Sequence, residues 1–469
     1  MARHRRAILA IQWVIVICYT VLVALPAFLP HPQAESRLFS SDFGATSFVD
    51  PDQFGSNETI RQENAPALIP WHDKLVLFAQ FAFWGIWWPF VILSIMLMGR
   101  VWCGVLCPEG ALTEFASRHG RGGRIPRWVR WSGWPLVAFA LTTIYGQLIS
   151  VYEYPKAVLL ILGGSTVAAV AIGWMYGKGK RVWCRYLCPV SGVFALLARL
   201  APFQFQVDRK VWESHPARRD AVDCAPLLDV KHLPGMSQCH ACGRCSDHRG
   251  AVALTPRSPN AEILSGPPPA TNEILLLSFG ILGVAIGAFQ WSVNPWFVWG
   301  KQTAAEWLLN HEIYWMLDES PAWWLLTSYP EVNDVFTWLD GAAILAYIGS
   351  VALVLGGTTL LAVRTSARLA GVNWQRLGLG LVPLGGISLF LGLSMLTLGQ
   401  LRTEAITLPG LDILRGALLA LGLLWSAWLG LRLMRSAAPG SARLVAALMV
   451  WLVPLIAVGS SWILVFYVW

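Results

Sequence analysis

Charge is scarce in this chain: Asp, Glu, Lys and Arg make up 13% of its 469 residues, against 55% hydrophobic. So thin a polar supply excludes an ordinary soluble domain. Several chemical motifs are missing as well. There is no P-loop and no glycine-rich dinucleotide fingerprint on a strand-to-helix turn, so neither nucleotide hydrolysis nor direct binding of a nicotinamide dinucleotide is encoded. No long apolar segment carries a histidine in its interior, which argues against a haem held between two histidines inside a bilayer. No C-x-x-C-H is present for covalent haem attachment. The apolar segments also lack the chain of acidic or basic side chains expected of an ion pathway.

What the chain has in abundance is long hydrophobic runs. About 20 apolar residues suffice to cross a bilayer as a helix, and nine segments qualify: 8–29, 75–98, 131–152, 157–176, 274–293, 341–363, 377–398, 411–431 and 444–469. The expected fold is an all-α polytopic membrane protein of about nine transmembrane helices. The 26 tryptophans are expected mainly in belts at headgroup depth.

The net charge of +8 reflects topology rather than a nucleic-acid footprint. Arginines cluster before the first span, between spans two and three (Arg100 to Arg130), between six and seven, and between eight and nine. The alternate loops are acidic, from Glu35 to Glu63 and from Glu306 to Asp334. Positive residues stay cytoplasmic, so the N-terminus reads as inside and the C-terminus as outside. The first span is longer than a signal-peptide core and reads as a retained anchor. Asn57-Glu-Thr matches a glycosylation acceptor, a pattern common by chance.

Four segments follow: an anchor helix with an outside loop (1–74), a duplicated membrane repeat (75–198), a polar cytoplasmic stretch (199–272), and a five-helix region (273–469) with a second outside loop at 294–340. The stretch 199–272 is the only extended polar region, and its core is too small to fold without a staple such as a metal.

The duplication is explicit. Arg100-Val-Trp-Cys103-Gly-Val-Leu-Cys107-Pro108 recurs as Arg181-Val-Trp-Cys184-Arg-Tyr-Leu-Cys188-Pro189. Each copy ends an apolar segment running from outside to inside. Four more of the nine cysteines follow, at Cys224, Cys239, Cys242 and Cys245. Eight thus face the reducing side, where structural disulfides are rare; Cys18, alone in the first span, reads as inert packing. Cys239-His-Ala-Cys242-Gly-Arg-Cys245 lets one loop wrap three corners of an iron–sulfur cube. A ferredoxin's next cysteine is replaced by Arg249, so Cys224 is the expected fourth ligand. Zinc is the structural alternative, but zinc sites usually pair two C-x2-C knuckles.

On an α-helix, positions four apart share a face, so each Cys-x3-Cys pairs its thiols. Two pairs side by side make a four-thiolate site, and eight cysteines then suit two [4Fe–4S] clusters. A thiol–disulfide relay, or each pair completing a different cluster, are the other arrangements. Arg100 and Arg181 either offset cluster charge or simply anchor the inner face. His240 and His248 read as surface groups or neighbours of ligands. His72 with Asp73 and His311 with Glu312, near the outer boundary, read as ordinary interfacial residues or as a quinol or metal site.

These residues resemble a known group. Two Cys-x3-Cys-Pro motifs at the ends of membrane helices, followed by a cysteine-rich ferredoxin-like stretch, are similar to the membrane polyferredoxins of the NapH and NosR type over residues 75–295. The single C-x2-C-x2-C run with Cys224 upstream, and the additional C-terminal spans, look most like the FtrD subunit of bacterial ferrous-iron uptake systems. The resemblance implies an electron-transfer protein of the bacterial inner membrane, with [4Fe–4S] clusters on Cys103, Cys107, Cys184, Cys188, Cys224, Cys239, Cys242 and Cys245. It implies as partners an iron permease and periplasmic metal-binding proteins, or a quinone pool. The other readings are the quinol-oxidising module of a respiratory reductase, or a redox or iron sensor or assembly factor. No nucleic-acid partner is expected.

Overall fold

The structure is a computed structural model describing residues 5–29, 71–214, 222–233, 235–403, 406, 408–437 and 440–469. The outside loop up to residue 70, with its acidic residues and Asn57, lies outside the described residues. Eight helices among those described are long and apolar enough to cross a membrane. They are α1 (Arg6–Phe28), α2 (Trp71–Met98), α5 (Pro155–Tyr176), α6 (Thr271–Val293), α8 (Trp338–Ala370), α9 (Trp374–Leu401), α10 (Leu411–Arg435) and α11 (Ser441–Val468). Between them lie α3 (Pro108–Arg118), α4 (Trp134–Leu148) and α7 (Pro295–Asn310).

The expected third span is the one that differs. Its helix, α4, has 15 residues, a rise of about 22 Å against a hydrocarbon layer of about 30 Å. Pro135 sits in its first turn, and Ser150, with φ of 48°, turns the chain just beyond its end. Asn272, at the start of α6, donates to Ser132 at 2.8 Å, and Thr327 N–H donates to the Leu148 carbonyl at 2.9 Å. The short helix therefore runs from the level where α6 begins to the level of the 320–337 loop.

α6 and α9 are the buried central pair, and the other long helices ring them. α2 contains a wide π turn over Phe81–Trp87. Such a turn frees backbone carbonyls, and Thr397 of α9 donates its hydroxyl to that of Gly85 at 2.8 Å. Trp296, Trp299, Trp307 and Trp315 are exposed, as a belt requires. Trp451 and Trp462, by contrast, are fully buried, donating to the Ser426 carbonyl (3.3 Å) and the Ser388 hydroxyl (3.1 Å). Cys18, expected to pack inside, is exposed on α1.

The fold is not wholly helical. Within 199–272, strands β1 (Phe203–Val207) and β2 (Val252–Pro256) pair antiparallel, from Phe203 opposite Pro256 to Val207 opposite Val252. This sheet closes the stretch into a loop whose base is pinned to the bundle. The buried Glu262 carboxylate accepts from Arg257 (2.5 Å) and from the N–H groups of Met236 (2.9 Å) and Ser237 (3.2 Å), just ahead of Cys239. Arg257 also reaches the carbonyls of Ala198, Arg199 and Ala201. Arg199 pairs with Glu273 at 2.5 Å.

At the end of the bundle away from the cysteines, the turn before α5 docks on the 328–335 loop. Tyr154 donates to Asp334 at 2.5 Å, and the rings of Tyr154 and Tyr329 stack with centroids 3.6 Å apart. Burial, then the Asp334 charge, pushes the Glu153 carboxyl from 4.5 up to about 8. The folded state therefore keeps a proton that the unfolded chain gives up above pH 4.5, so this group's contribution falls as pH rises towards 8. We expect the melting temperature of Glu153→Gln, relative to wild type, to rise by several °C between pH 5 and pH 8. A pH-independent difference contradicts this.

Candidate functional site

Both cysteine motifs sit where a long helix stops. α2 ends at Gly99, whose φ of 64° suits glycine and where a Cβ would lie 2.6 Å from Met236 Cε. The motif that follows is not the α-helical turn expected from its spacing. Residues Trp102–Leu106 form a wide π turn, closed by Cys107 N–H on the Trp102 carbonyl at 2.8 Å. The second copy keeps α geometry over Val182–Tyr186, with Leu187 N–H on the Trp183 carbonyl at 2.9 Å, and widens only at its end, where Cys188 N–H reaches the same carbonyl at 3.0 Å. The proline after each second cysteine disfavours α geometry at the residue before it, so Cys107 and Cys188 both lie past the end of their helical turn. Cys107 is accordingly extended, with φ −77° and ψ 118°, and becomes the cap of α3, its sulfur accepting Gly110 N–H at 3.4 Å.

The two copies still bring their thiols together. Cys103, Cys107, Cys184 and Cys188 line one cavity of about 860 Å³. Burial pushes the Cys107 and Cys188 thiols well above their ordinary value, and Cys103 and Cys184 raise both further. Cys184 is pushed up to about 12 by burial, against the pull of Arg181. The other four form a second set. Burial raises Cys239, and the charges of Cys242, Cys245 and Cys224 add to it; Cys245 is pushed up to about 12, by burial and then by Cys242 and Cys224. All nine cysteines are free thiols. Among the described residues, no three His, Cys, Asp or Glu side chains are gathered tightly enough to hold a single metal ion.

The donor sets fit iron–sulfur clusters. A cube spreads its four ligands over separate irons, so the sulfurs need not converge on one point. Buried thiols that resist ionisation need a cationic centre to become thiolates. Backbone N–H groups point at sulfur in both sets: Gly110 to Cys107, Leu228 to Cys224 and Ala241 to Cys239, each at 3.4 Å. Such bonds favour the negatively charged ligand. The third requires Ala241 to take a left-handed φ of 48°, a conformation costly for alanine and kept only where the surroundings impose it.

The motif arginines are cross-ties rather than inner-face anchors. Arg181, 1% exposed, donates to Glu114 (2.8 Å) and, in the other copy, to the carbonyls of Cys103 (2.5 Å) and Gly104 (3.2 Å). Its own N–H bonds to the Ala225 carbonyl at 2.8 Å, beside Cys224. Arg100 reciprocates, donating to Ser237 O (3.1 Å) and to Ser191 Oγ (2.8 Å), which in turn donates to Cys184 O (2.8 Å). Glu114 lies between Arg181, Arg118 (2.6 Å) and Arg244 (3.3 Å). Burial opposes its charge, but Arg181 and Arg244 outweigh that and hold its carboxyl below the ordinary range. Arg244, between Cys242 and Cys245, also holds Asp223 at 2.6 Å and the Gly179 carbonyl at 3.1 Å.

Gly104 explains why the copies differ at the position after their first cysteine. A Cβ there would stand 2.1 Å from the His240 carbonyl and 2.7 Å from Cys242 N, so the first motif lies directly on the C-x2-C-x2-C loop. Arg185 takes the matching place in the second copy. His240 is thus not a surface group: it is 1% exposed, with Nδ1 unpartnered, and burial, then Arg100 and Arg181, hold its imidazole well below its ordinary value, hence neutral. His248 packs near Trp212, ring centroids 5.2 Å apart. His72 contacts Asp73 at 3.3 Å, and His311 stacks on Trp307 at 4.2 Å. Glu114, Arg244, Gly104 and Glu109 were not singled out in the sequence. The only signal was Gly against Arg at equivalent places in the repeat.

Fold and site together define a multi-pass membrane iron–sulfur protein. Residues 80–126 and 160–207, the two repeat copies, match the family described as a 4Fe-4S binding domain. The chain is similar to the regulatory protein NosR of Pseudomonas aeruginosa, 28% identical over 179 residues, covering 34% of this chain and 25% of NosR. NosR of Stutzerimonas stutzeri is 26% identical over 180 residues, covering 34% of this chain and 24% of its own length. YccM of Escherichia coli K12, named as a candidate electron transport protein, is 24% identical over 234 residues, covering 43% of this chain and 64% of YccM. The chain thus spans about a quarter of the NosR proteins. No solved structure matches it.

Proposed function

We propose that the chain is a membrane electron carrier. Cys103, Cys107, Cys184 and Cys188 hold one [4Fe–4S] cluster, and Cys224, Cys239, Cys242 and Cys245 a second. The observation that carries this reading is the shared wall between the sets: Gly104 packs on the His240–Cys242 backbone, and Arg181 lies within electrostatic reach of both Cys184 and Cys242. Clusters of this kind supply one-electron oxidation and reduction. The chain's own part is to fix the two sets against each other through Arg100, Arg181 and Arg244, to exclude water from the thiols, and to keep a neutral imidazole between them.

The charge asymmetry supports placing the thiol end and N-terminus on the cytoplasmic side of a bacterial inner membrane, with the C-terminus periplasmic. Electrons then pass between a periplasmic-side partner or the quinone pool and the cytoplasmic side. The resemblance of the Cys224–Cys245 stretch supports a role in iron uptake beside an iron permease and periplasmic metal-binding proteins. Anaerobic purification with iron, acid-labile sulfide and zinc counts, plus EPR after reduction, tests the reading. About eight irons and eight sulfides per chain are expected for two cubes; zinc without labile sulfide overturns it.

A further inference from the structure

The segment joining α3 to α4 carries cations that the thiol sets do not use. From Gly120 to Trp131 it reads Gly-Arg-Gly-Gly-Arg-Ile-Pro-Arg-Trp-Val-Arg-Trp, with an arginine at every third position from Arg121 and no acid. Basic side chains beside the thiols are paired within the protein, Arg118 and Arg181 on Glu114, Lys180 and Arg244 on Asp223. Arg124, Arg127 and Arg130 are exposed and make no ion pair or side-chain hydrogen bond with the described residues.

The segment is held in place all the same. Arg121 N–H bonds to the Trp174 carbonyl at 2.8 Å and Gly123 N–H to that of Met175 at 2.9 Å. The Arg121 guanidinium lies over the Trp174 ring, 4.4 Å from its centre. Gly120 permits this approach, because a Cβ there would stand 2.3 Å from the Trp174 carbonyl oxygen. Val129 is fully buried in the cluster around Trp183 and Cys184. Trp131 N–H bonds to the Trp128 carbonyl (3.2 Å) and Trp134 N–H to that of Trp131 (3.3 Å), and the Trp134 ring meets the other two edge to face. Trp128 and Trp131 are half exposed.

These groups flank the short helix. The rise of α4, about 22 Å, falls roughly 8 Å short of the hydrocarbon layer. A short span draws the headgroups in or reaches them with its flanking residues. Indole rings settle at headgroup depth, and guanidinium forks pair with phosphate oxygens two at a time. Keeping positive charge on one side needs only a charge count; these arginines also have a fixed backbone and aromatic neighbours. An acidic protein arriving to exchange electrons would seek cations beside Cys224 and Cys242, where Lys180 and Arg244 are already engaged by Asp223.

We infer that residues 121–131 are a docking site for an anionic phospholipid, its phosphate held by Arg124, Arg127 and Arg130 and its chains lying against Trp128 and Trp131. The inference rests on the membrane-spanning fold alone and is independent of whether the thiols carry clusters.

The full chain in detergent is titrated with dioleoyl phosphatidylglycerol and with the phosphatidylethanolamine of the same chains, and bound lipids are counted by native mass spectrometry. Wild type is expected to bind the anionic lipid at least about tenfold more tightly. Replacing Arg124, Arg127 and Arg130 together by Gln is expected to abolish that preference, and replacing the same three by Lys to keep it within about threefold. The control is Arg435→Gln with Arg443→Gln, which removes exposed arginines from α10 and α11 and is expected to match wild type. Should the Gln variant insert poorly, Trp128→Ala with Trp131→Ala decides; it leaves every charge in place and is expected to weaken anionic-lipid binding at least about threefold.

Equal binding of the two lipids by wild type, an equal loss in the control, or wild-type affinity in both the Gln and the Trp variants overturns the inference. Displacement of the lipid by an equal concentration of inorganic phosphate overturns it in favour of a free-anion site. Displacement by an acidic soluble ferredoxin overturns it in favour of a protein partner.

Discussion

Cys103→Ser and Cys184→Ser are each expected to remove about half of the iron and labile sulfide, and both to abolish the same EPR signal. Cys239→Ser is expected to remove the other half and spare that signal. The expectation rests on the cavity shared by Cys103, Cys107, Cys184 and Cys188 and on the mutual electrostatic effect of these thiols, which cross-links the two repeat copies. If each pair instead completed a different cluster, Cys103→Ser and Cys184→Ser would extinguish different signals. If the thiols worked as a disulfide relay, neither variant would change a sulfide count. Purification under argon, with metal and sulfide analysis beside EPR, separates these three outcomes.

Arg181→Ala is expected to be the most damaging change outside the cysteines, costing about 3–5 kcal/mol, the range for breaking a buried ion pair. The side chain is 2% exposed, and its guanidinium serves Glu114 and two carbonyls of the opposite motif at once. Removing it takes this donor from the buried Cys103 carbonyl and leaves the Gly104 carbonyl to the Gln12 amide at 3.0 Å, while Glu114 keeps only Arg118 and Arg244. Arg181→Lys is expected to recover little, because an ammonium cannot present the same planar fork of donors. Denaturant unfolding in detergent, read beside iron content, checks this. A loss under about 1 kcal/mol, within the range of an exposed ion pair, contradicts the cross-tie.

Much of the site was legible because its chemistry is local. The Arg-Val-Trp-Cys-x3-Cys-Pro duplication, its place at the ends of long apolar runs, and the C-x2-C-x2-C loop are each contiguous signals. The long helices were equally legible, since about 20 apolar residues in a row have few other fates. The third span was misjudged in length, because hydrophobicity counts residues in a window while Pro135 and the turn at Ser150 set where the helix begins and ends. The α turn expected of both motifs holds over Val182–Tyr186 but not over Trp102–Leu106, which is a wider π turn, and in each copy the proline takes the second cysteine out of the helix.

The amino-acid order by itself determined that the chain is a helical membrane protein and that eight thiols cluster in sequence near one side. Hydrophobic length and cysteine spacing are properties of neighbouring residues. Only the tertiary structure decided which thiols face one another, that Arg100 and Arg181 reach across the repeat, that His240 is buried, and that a large cavity lies beside the first set. Those facts depend on contacts between residues far apart in the chain. Gly104 against the His240 carbonyl is one of them: a missing side chain has meaning only through what occupies its place.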